Sequence, residues 1–267
     1  MSGDLAIYPP RLARPPTPAE PKVEPQLQND ILDALEAPDL ERLRPYLRRV
    51  TLVAGQVLYE PGDEVDRVYF PVSGLVSMIT PMLSGRHVEN GSRGRDGGIG
   101  YVEACGSGAM ISRVMVQISG AAWALSARRL KEVVLTSPEL QGAFHRRSEF
   151  LLAEARQSIA CQATHMAPGR LARLLLETAD HTGENRFPLT QDYIAGRIGV
   201  GRTTVTHAAG ALKRRRAIRY TRGAVTVVDR QALRASCCEC YDVVRAMRRR
   251  ILRDPPRAAE PPDLARY

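Results

Sequence analysis

The chain has 267 residues, with 38 Lys and Arg against 29 Asp and Glu, for a formal net charge of +9. That length suggests two domains or one large one, enough to bury a core without disulfide staples, and a 44% hydrophobic content reads as an ordinary globular protein. No apolar run approaches the roughly 18–20 residues of a membrane span, which excludes an integral membrane protein, and the Pro-rich N-terminus lacks the continuous apolar stretch of a secretory signal.

In chain order, residues 1–28 form a Pro-rich polar segment read as a disordered tail, and residues 254–267 are read the same way. From Asn29, the apolar positions Ile31, Leu32, Leu35, Leu40, Leu43 and Leu47 predict one or two short helices, broken near Pro38 and Pro45. Between Val50 and Leu125 the texture changes to short β-prone runs: Val50–Val53, Val57–Tyr59, Val65–Pro71, Leu75–Thr80, Arg113–Ile118 and Ala122–Leu125. Gly-centred turns at Gly55, Gly62, Gly74, Gly85 and Gly120 separate them, a spacing that predicts an antiparallel barrel or sandwich. Eight Gly between Gly85 and Gly108 predict loops.

A long helix is expected from Pro138 to Met166, with Leu140, Phe144, Leu151, Leu152, Ala155, Ile159, Ala163 and Met166 on its apolar stripe. Pro168–Gly169 ends it and Leu171–Ala179 begins another helix. Here the charge also changes. Residues 168–253 carry 18 basic and 7 acidic side chains, a net of +11, whereas the remainder nets −2. Such asymmetry points to an anionic partner, nucleic acid first. Since 35 of the 38 basic residues are Arg, their location is more informative than their number.

The segment Leu189–His207 carries the most specific pattern. Thr190 is placed to cap a helix that begins at Gln191, with Asp192 at its positive end. Ala195 is small enough for a second helix to cross closely, Gly199 supplies the turn, and Val205 plugs the space between the helices with Ile194, Ile198 and Leu212. This is helix-turn-helix spacing. Arg202, Thr203, Thr206 and His207 fall on the outward N-terminal face of the second helix, where donors reach base edges in a major groove. The basic run Lys213–Arg216 follows, then two β-prone runs around Thr221–Arg222–Gly223 that form a hairpin. A basic hairpin after a recognition helix is the wing of a winged helix, placed to touch phosphates.

Residues Leu43–Asp229 resemble the Crp/Fnr family of bacterial transcription regulators. The motifs that carry the resemblance are Val53–Asp63, Val68–Val76 with its Tyr69–Phe70–Pro71 and Gly74, and Leu189–Leu212. The resemblance implies an α+β fold: an N-terminal antiparallel β-roll of the cyclic-nucleotide-binding type (29–137), a long dimerisation helix (138–166) and a C-terminal winged helix-turn-helix (167–229). An added helix (230–253) follows. It further implies a cytoplasmic homodimer paired through residues 138–166, with double-stranded promoter or operator DNA as its partner, RNA polymerase as a further one, and no membrane. The DNA-binding set is then Thr190, Gln191, Arg202, Thr203, Thr204, Thr206, His207, Lys213 and Arg222. Gly201 stands where the family usually has a phosphate-contacting Ser, and Thr203 where it usually has Glu.

In nucleotide-binding members of that family a Gly-Glu pair holds the ribose, and an Arg ten residues later neutralises the cyclic phosphate. Ungapped alignment puts Tyr101 and Ile111 at those two positions, which disfavours cyclic AMP. A two-residue slip recovers Glu103 and Arg113 but loses the residues that flank them in the family, so a cyclic-nucleotide-responsive regulator remains the alternative. No Cys precedes Cys105, contrary to the iron–sulfur branch of the family. Cys237, Cys238 and Cys240 form a cluster of three thiols without a His nearby in sequence; buried structural Cys is the expectation, and no metal site is assigned. No cofactor is identified and the sequence names no effector. The Gly-rich stretch completes no GxGxxG, and neither a Walker Gly-Lys-Ser/Thr nor a His-Glu-x-x-His motif is present, which argues against an enzyme. A ligand-binding module whose winged helix serves protein interaction, without specific DNA binding, is the remaining competitor.

Overall fold

The computed structural model describes residues 27–83, 87–221 and 223–252. The expected tails therefore lie outside the described residues except for Leu27 and Gln28, and Arg222 lies outside them too.

Instead of opening a helix, residues 29–35 form hydrogen-bonded turns organised by Asn29. Its fully buried amide donates to the carbonyls of Pro71 and Gly97 at 2.8 and 2.9 Å, and its side-chain oxygen accepts from the Ile31 amide. The first helix, α1 (Ala37–Leu43), carries Pro38 in its first turn rather than breaking there, because a first-turn Pro gives up an N–H that would have no intrahelical partner. A single 3₁₀ turn at Arg44–Tyr46 leads into the sheets.

Seven strands build the N-terminal domain: β1 (Arg48–Leu52), β2 (Val57–Tyr59), β3 (Arg67–Pro71), β4 (Leu75–Pro81), β5 (His87–Arg93), β6 (Arg113–Ile118) and β7 (Gly120–Ser126). They form two antiparallel sheets, ordered β1-β7-β3 and β2-β6-β4-β5. Alternation explains which faces meet: Val68 and Phe70 of β3, and Val114 and Val116 of β6, are fully buried in the shared core. Gly74 (φ +80°) turns β3 into β4 so tightly that a Cβ there would lie 2.5 Å from the Ile118 carbonyl.

The Gly-rich stretch is not all loop. β5 occupies His87–Arg93 as an edge strand on β4, and Tyr101–Cys105 forms a short helix, α2. Two further helices close the domain: α3 (Ala127–Val134) and α4 (Pro138–Thr164), the latter capped by the Ser137 hydroxyl. α4 ends two residues before the expected Met166. His165 and Met166 are extended, and Pro168 sits in the first turn of the next helix, α5 (Ala167–Thr182).

A second core surrounds α5, whose Leu171, Ala172, Leu174, Leu175 and Leu176 are all buried. Around it lie α6 (Gln191–Ile198), α7 (Arg202–Arg214) and a three-stranded sheet. The sheet is ordered β8 (Arg186–Pro188), β10 (Ala224–Val227) and β9 (Ile218–Thr221). Where one added helix was expected over 230–253, the chain makes two, α8 (Arg230–Ala235) and α9 (Cys240–Leu252), with a bend at residues 236–239. α9 packs along α4. Among the described residues no helix is long and apolar enough to cross a membrane.

Candidate nucleic-acid interface

The two helices α6 and α7 are positioned by local chemistry. The Thr190 hydroxyl accepts from the Tyr193 amide at 3.1 Å and caps α6. Gly199 ends α6 in the left-handed region at φ +64°, and the Val200 amide reaches back to the Ala195 carbonyl at 3.1 Å. Val205 is fully buried with Ile194, Ile198 and Leu212, and Ala195 packs on the same cluster. The expected wedge is therefore present residue for residue.

The outward face of α7 carries Arg202, Thr203, Thr206 and His207, all exposed, with Thr204 also exposed. Gln191, half-buried at the start of α6, donates to the Thr206 hydroxyl at 3.4 Å, and that hydroxyl donates to the Arg202 carbonyl. Arg202 is held by both carboxylate oxygens of Asp192, one helix back. Lys213, Arg214, Arg215, Arg216 and Arg219 extend the exposed basic surface from the end of α7 into β9. Tyr220 anchors the wing by donating to the Leu189 carbonyl at 3.1 Å.

The basic run contains a special position that its sequence pattern does not reveal. α7 ends in a Schellman motif: the Ala217 amide bonds to the Leu212 carbonyl and the Arg216 amide to the Lys213 carbonyl. The residue in the left-handed slot, φ +56°, is Arg216, where Gly is usual. A long charged side chain is thus retained at a position that disfavours any side chain.

The interface surface is tied to the N-terminal domain. Tyr193 of α6 donates to Glu89 of β5 at 2.7 Å, and Arg197 sits 3.6 Å from Glu89 and 3.7 Å from Glu177. Burial pushes the Glu89 carboxyl up to about 7, against the opposing pull of Arg197 and the Tyr193 hydrogen bond. Burial also raises the Tyr193 hydroxyl well above its ordinary value, so it remains a donor. A second tie centres on Asp96. Burial disfavours its ionised form, but His181, Arg248 and Arg93 outweigh that and hold the carboxyl down at about 2. Arg248 of α9 bridges Asp96 at 3.0 Å and Asp30 at 2.6 Å.

The β-roll residues considered for a nucleotide do not converge. A cavity of about 70 Å³ between sheet and α4 is lined by Tyr101, Glu103, Arg93, Met110 and Leu151 among others. That is well under the roughly 300 Å³ at which ligand pockets begin. Tyr101 is buried with its ring 5.2 Å from that of Phe144, and Ile111 is 78% exposed. Burial raises the Glu103 carboxyl. Arg113 does not line the cavity; it is engaged by the Glu60 carboxylate through bonds of 2.6–3.0 Å. A separate side-chain cluster, Cys161, His165, Cys238 and Cys240, forms where α4 ends beside the α8–α9 bend.

Comparison with known proteins places this geometry. Residues 169–236 match the Crp-like helix-turn-helix domain. A CRP/FNR-family transcriptional regulator of Thermus thermophilus is 26% identical with a TM-score of 0.57, covering 70% of this chain and 97% of that one. FixK2 from Bradyrhizobium japonicum shares the fold at a TM-score of 0.62 and 16% identity, over 72% of this chain and 98% of its own. The c-di-GMP responsive global regulator CLP of Xanthomonas campestris does so at 0.57 and 17%, over 73% of this chain and all of its own. No curated protein matches the chain.

Proposed function

We propose that the chain is a DNA-binding transcription regulator of the Crp/Fnr family that works as a cytoplasmic homodimer reading a two-fold operator, a reading supported by the Crp-like helix-turn-helix match and the shared fold. The carrying observation is the α7 face: exposed Arg202, Thr203, Thr206 and His207 on a helix seated by a buried Val205 wedge, continuous with exposed Lys213–Arg216. Arg202 and His207 read base edges; Thr190, Gln191, Thr204, Lys213 and the wing residue Arg222 contact phosphates or support those that do. An ion pair with Asp192 holds Arg202 in the free protein, and DNA competes for its guanidinium.

Dimerisation is supported by the free face of α4. Leu152 (52% exposed) and Ile159 (70%) lie with Ala155 and Ala163 on one stripe, while the opposite side packs on the β-roll and α9. Pairing two such helices sets the recognition helices one turn of DNA apart, about 34–36 Å. An effector that altered the pairing would change that spacing and so the affinity for an operator.

The β-roll is read as a sensor that does not take cyclic AMP, because its inner cavity is small and Arg113 is already occupied by Glu60. Calorimetry with cyclic AMP and cyclic GMP is expected to give no saturable heat; saturable binding lost in Arg113→Ala would restore the nucleotide alternative. For the DNA function, binding to promoter fragments across a salt series tests the reading. Affinity is expected to fall steeply with salt while preference for particular fragments persists. Weak, salt-insensitive binding would contradict it.

A further inference from the structure

We propose that the chain holds one zinc ion through Cys161 Sγ, His165 Nδ1, Cys238 Sγ and Cys240 Sγ. Cys161 lies in the last turn of α4, and His165 is the residue that caps its end, held beside Cys161 by an amide bond of 3.0 Å back to the Cys161 carbonyl. Cys238 comes from the bend between α8 and α9 and Cys240 from the first residue of α9, more than 70 residues later. The histidine that the sequence fails to place near the three thiols is thus delivered by the fold.

The geometry suits a single tetrahedral ion. The four ligand atoms all lie within 4.8 Å of one another. Cys161 Sγ is 3.6 Å from Cys238 Sγ, and Cys240 Sγ is 3.6 Å from His165 Nδ1. A tetrahedral zinc with Zn–S near 2.3 Å and Zn–N near 2.0–2.1 Å requires ligand–ligand edges of roughly 3.5–3.8 Å. The surroundings match what orients such ligands elsewhere. The other imidazole nitrogen, Nε2, is 3.0 Å from the Glu239 carboxylate, which fixes the ring with Nδ1 toward the thiols. Gln157 Nε2 donates to Cys240 Sγ at 3.1 Å, and the buried Arg173 guanidinium lines the cleft beside Cys161, opposing the negative charge of a three-thiolate site.

Three sulfurs and an imidazole form a soft donor set that selects zinc over calcium or magnesium. Loading converts the three thiols to thiolates and releases three protons to solvent, leaving a site of net charge −1. The ion would join the last turn of α4, at the passage between the two domains, to the C-terminal helices, pinning α9 along α4. Cys237 is half-buried in the same bend but outside the four, and Cys105 is exposed on α2, so both serve as controls.

The test uses the full chain, purified under reductant, loaded with zinc(II), desalted, and assayed for metal per chain; parallel loading with cobalt(II) reports geometry by visible absorption. The expected result is about one zinc per chain and the intense d–d bands of a tetrahedral thiolate site. Cys161→Ser and Cys240→Ser are each expected to weaken zinc retention by at least the roughly 10–100-fold that loss of a mere outer-shell partner costs a metal site, with Cys237→Ser and Cys105→Ser unchanged. Cobalt loading of the unmutated chain keeps the test valid if a variant misfolds. Failure of the unmutated chain to retain zinc, an octahedral cobalt spectrum, equal loss in Cys237→Ser, or a Cys161–Cys238 disulfide in freshly reduced, zinc-treated protein would each overturn the proposal.

Discussion

The Tyr193 hydroxyl donates a 2.7 Å hydrogen bond to the Glu89 carboxylate, so the first helix of the helix-turn-helix is latched to an edge strand of the β-roll in the same chain. The latch is sensitive to pH because burial lifts Glu89 to about 7 from an ordinary value of 4.5. Between those values the docked state binds a proton that the solvated state does not. Docking is therefore fully favoured below about 4.5 and weakens as pH rises through about 7. Amide exchange in α6, corrected for its intrinsic pH dependence, is expected to accelerate from about pH 4.5 to about pH 7 and to level off above that. Glu89→Gln removes the titrating group and flattens that profile; an unchanged profile in the variant would assign the effect to another group.

Recognition residues and phosphate contacts are expected to separate cleanly. Arg202→Ala costs about 1–3 kcal/mol at the preferred operator and relaxes preference at its base position. His207→Ala is expected to relax preference at a neighbouring position. Lys213→Ala instead weakens all DNA about equally and lowers the salt slope by about one. Asp192→Asn, which releases Arg202 from its ion pair, raises affinity. Electrophoretic or anisotropy titrations on cognate and scrambled duplexes distinguish these outcomes.

Arg216 trades stability for charge. Replacing it with Gly relieves a left-handed strain of roughly 1–2 kcal/mol, offset by about 0.5–1 kcal/mol of added unfolded-state freedom. Arg216→Gly is thus expected to raise Tm slightly while weakening DNA binding. A fall in Tm would show that the Arg side chain stabilises the wing junction instead.

Charge on the free stripe of α4 tests the dimer. Leu152→Glu combined with Ile159→Glu is expected to shift sedimentation from dimer to monomer with little change in the fold of each chain, since both side chains are exposed. Operator affinity is expected to fall about 100-fold or more as the second half-site contact is lost.

The winged helix was legible because its determinants are local. The Thr190 cap, the Gly199 turn and the Val205 plug all fall within sixteen residues, and each acts on its near neighbours. The six β-prone runs were legible for the same reason, through alternation. β5 was not: His87–Arg93 is polar and contains Gly91, and its inward Glu89 is satisfied by Tyr193, 104 residues away. β8 is only three residues long, and Arg186–Phe187–Pro188 becomes a strand through pairing with β10. Turns at 29–35 resemble a helix in apolar spacing, but Asn29 binds the carbonyls of Pro71 and Gly97, which no local pattern reveals. The convergence of Cys161 and His165 on Cys238 and Cys240 is a tertiary event of the same kind.

Selection of genomic DNA by the purified full-length protein tests the central claim most directly, because it asks for DNA binding, sequence preference and two-fold symmetry in one measurement. The account predicts enrichment of an inverted repeat with half-site centres about 10–10.5 base pairs apart, lost when Arg202 and His207 are both replaced by Ala. Recovery of fragments without a shared motif, or an enriched motif unaffected by that double substitution, would contradict it.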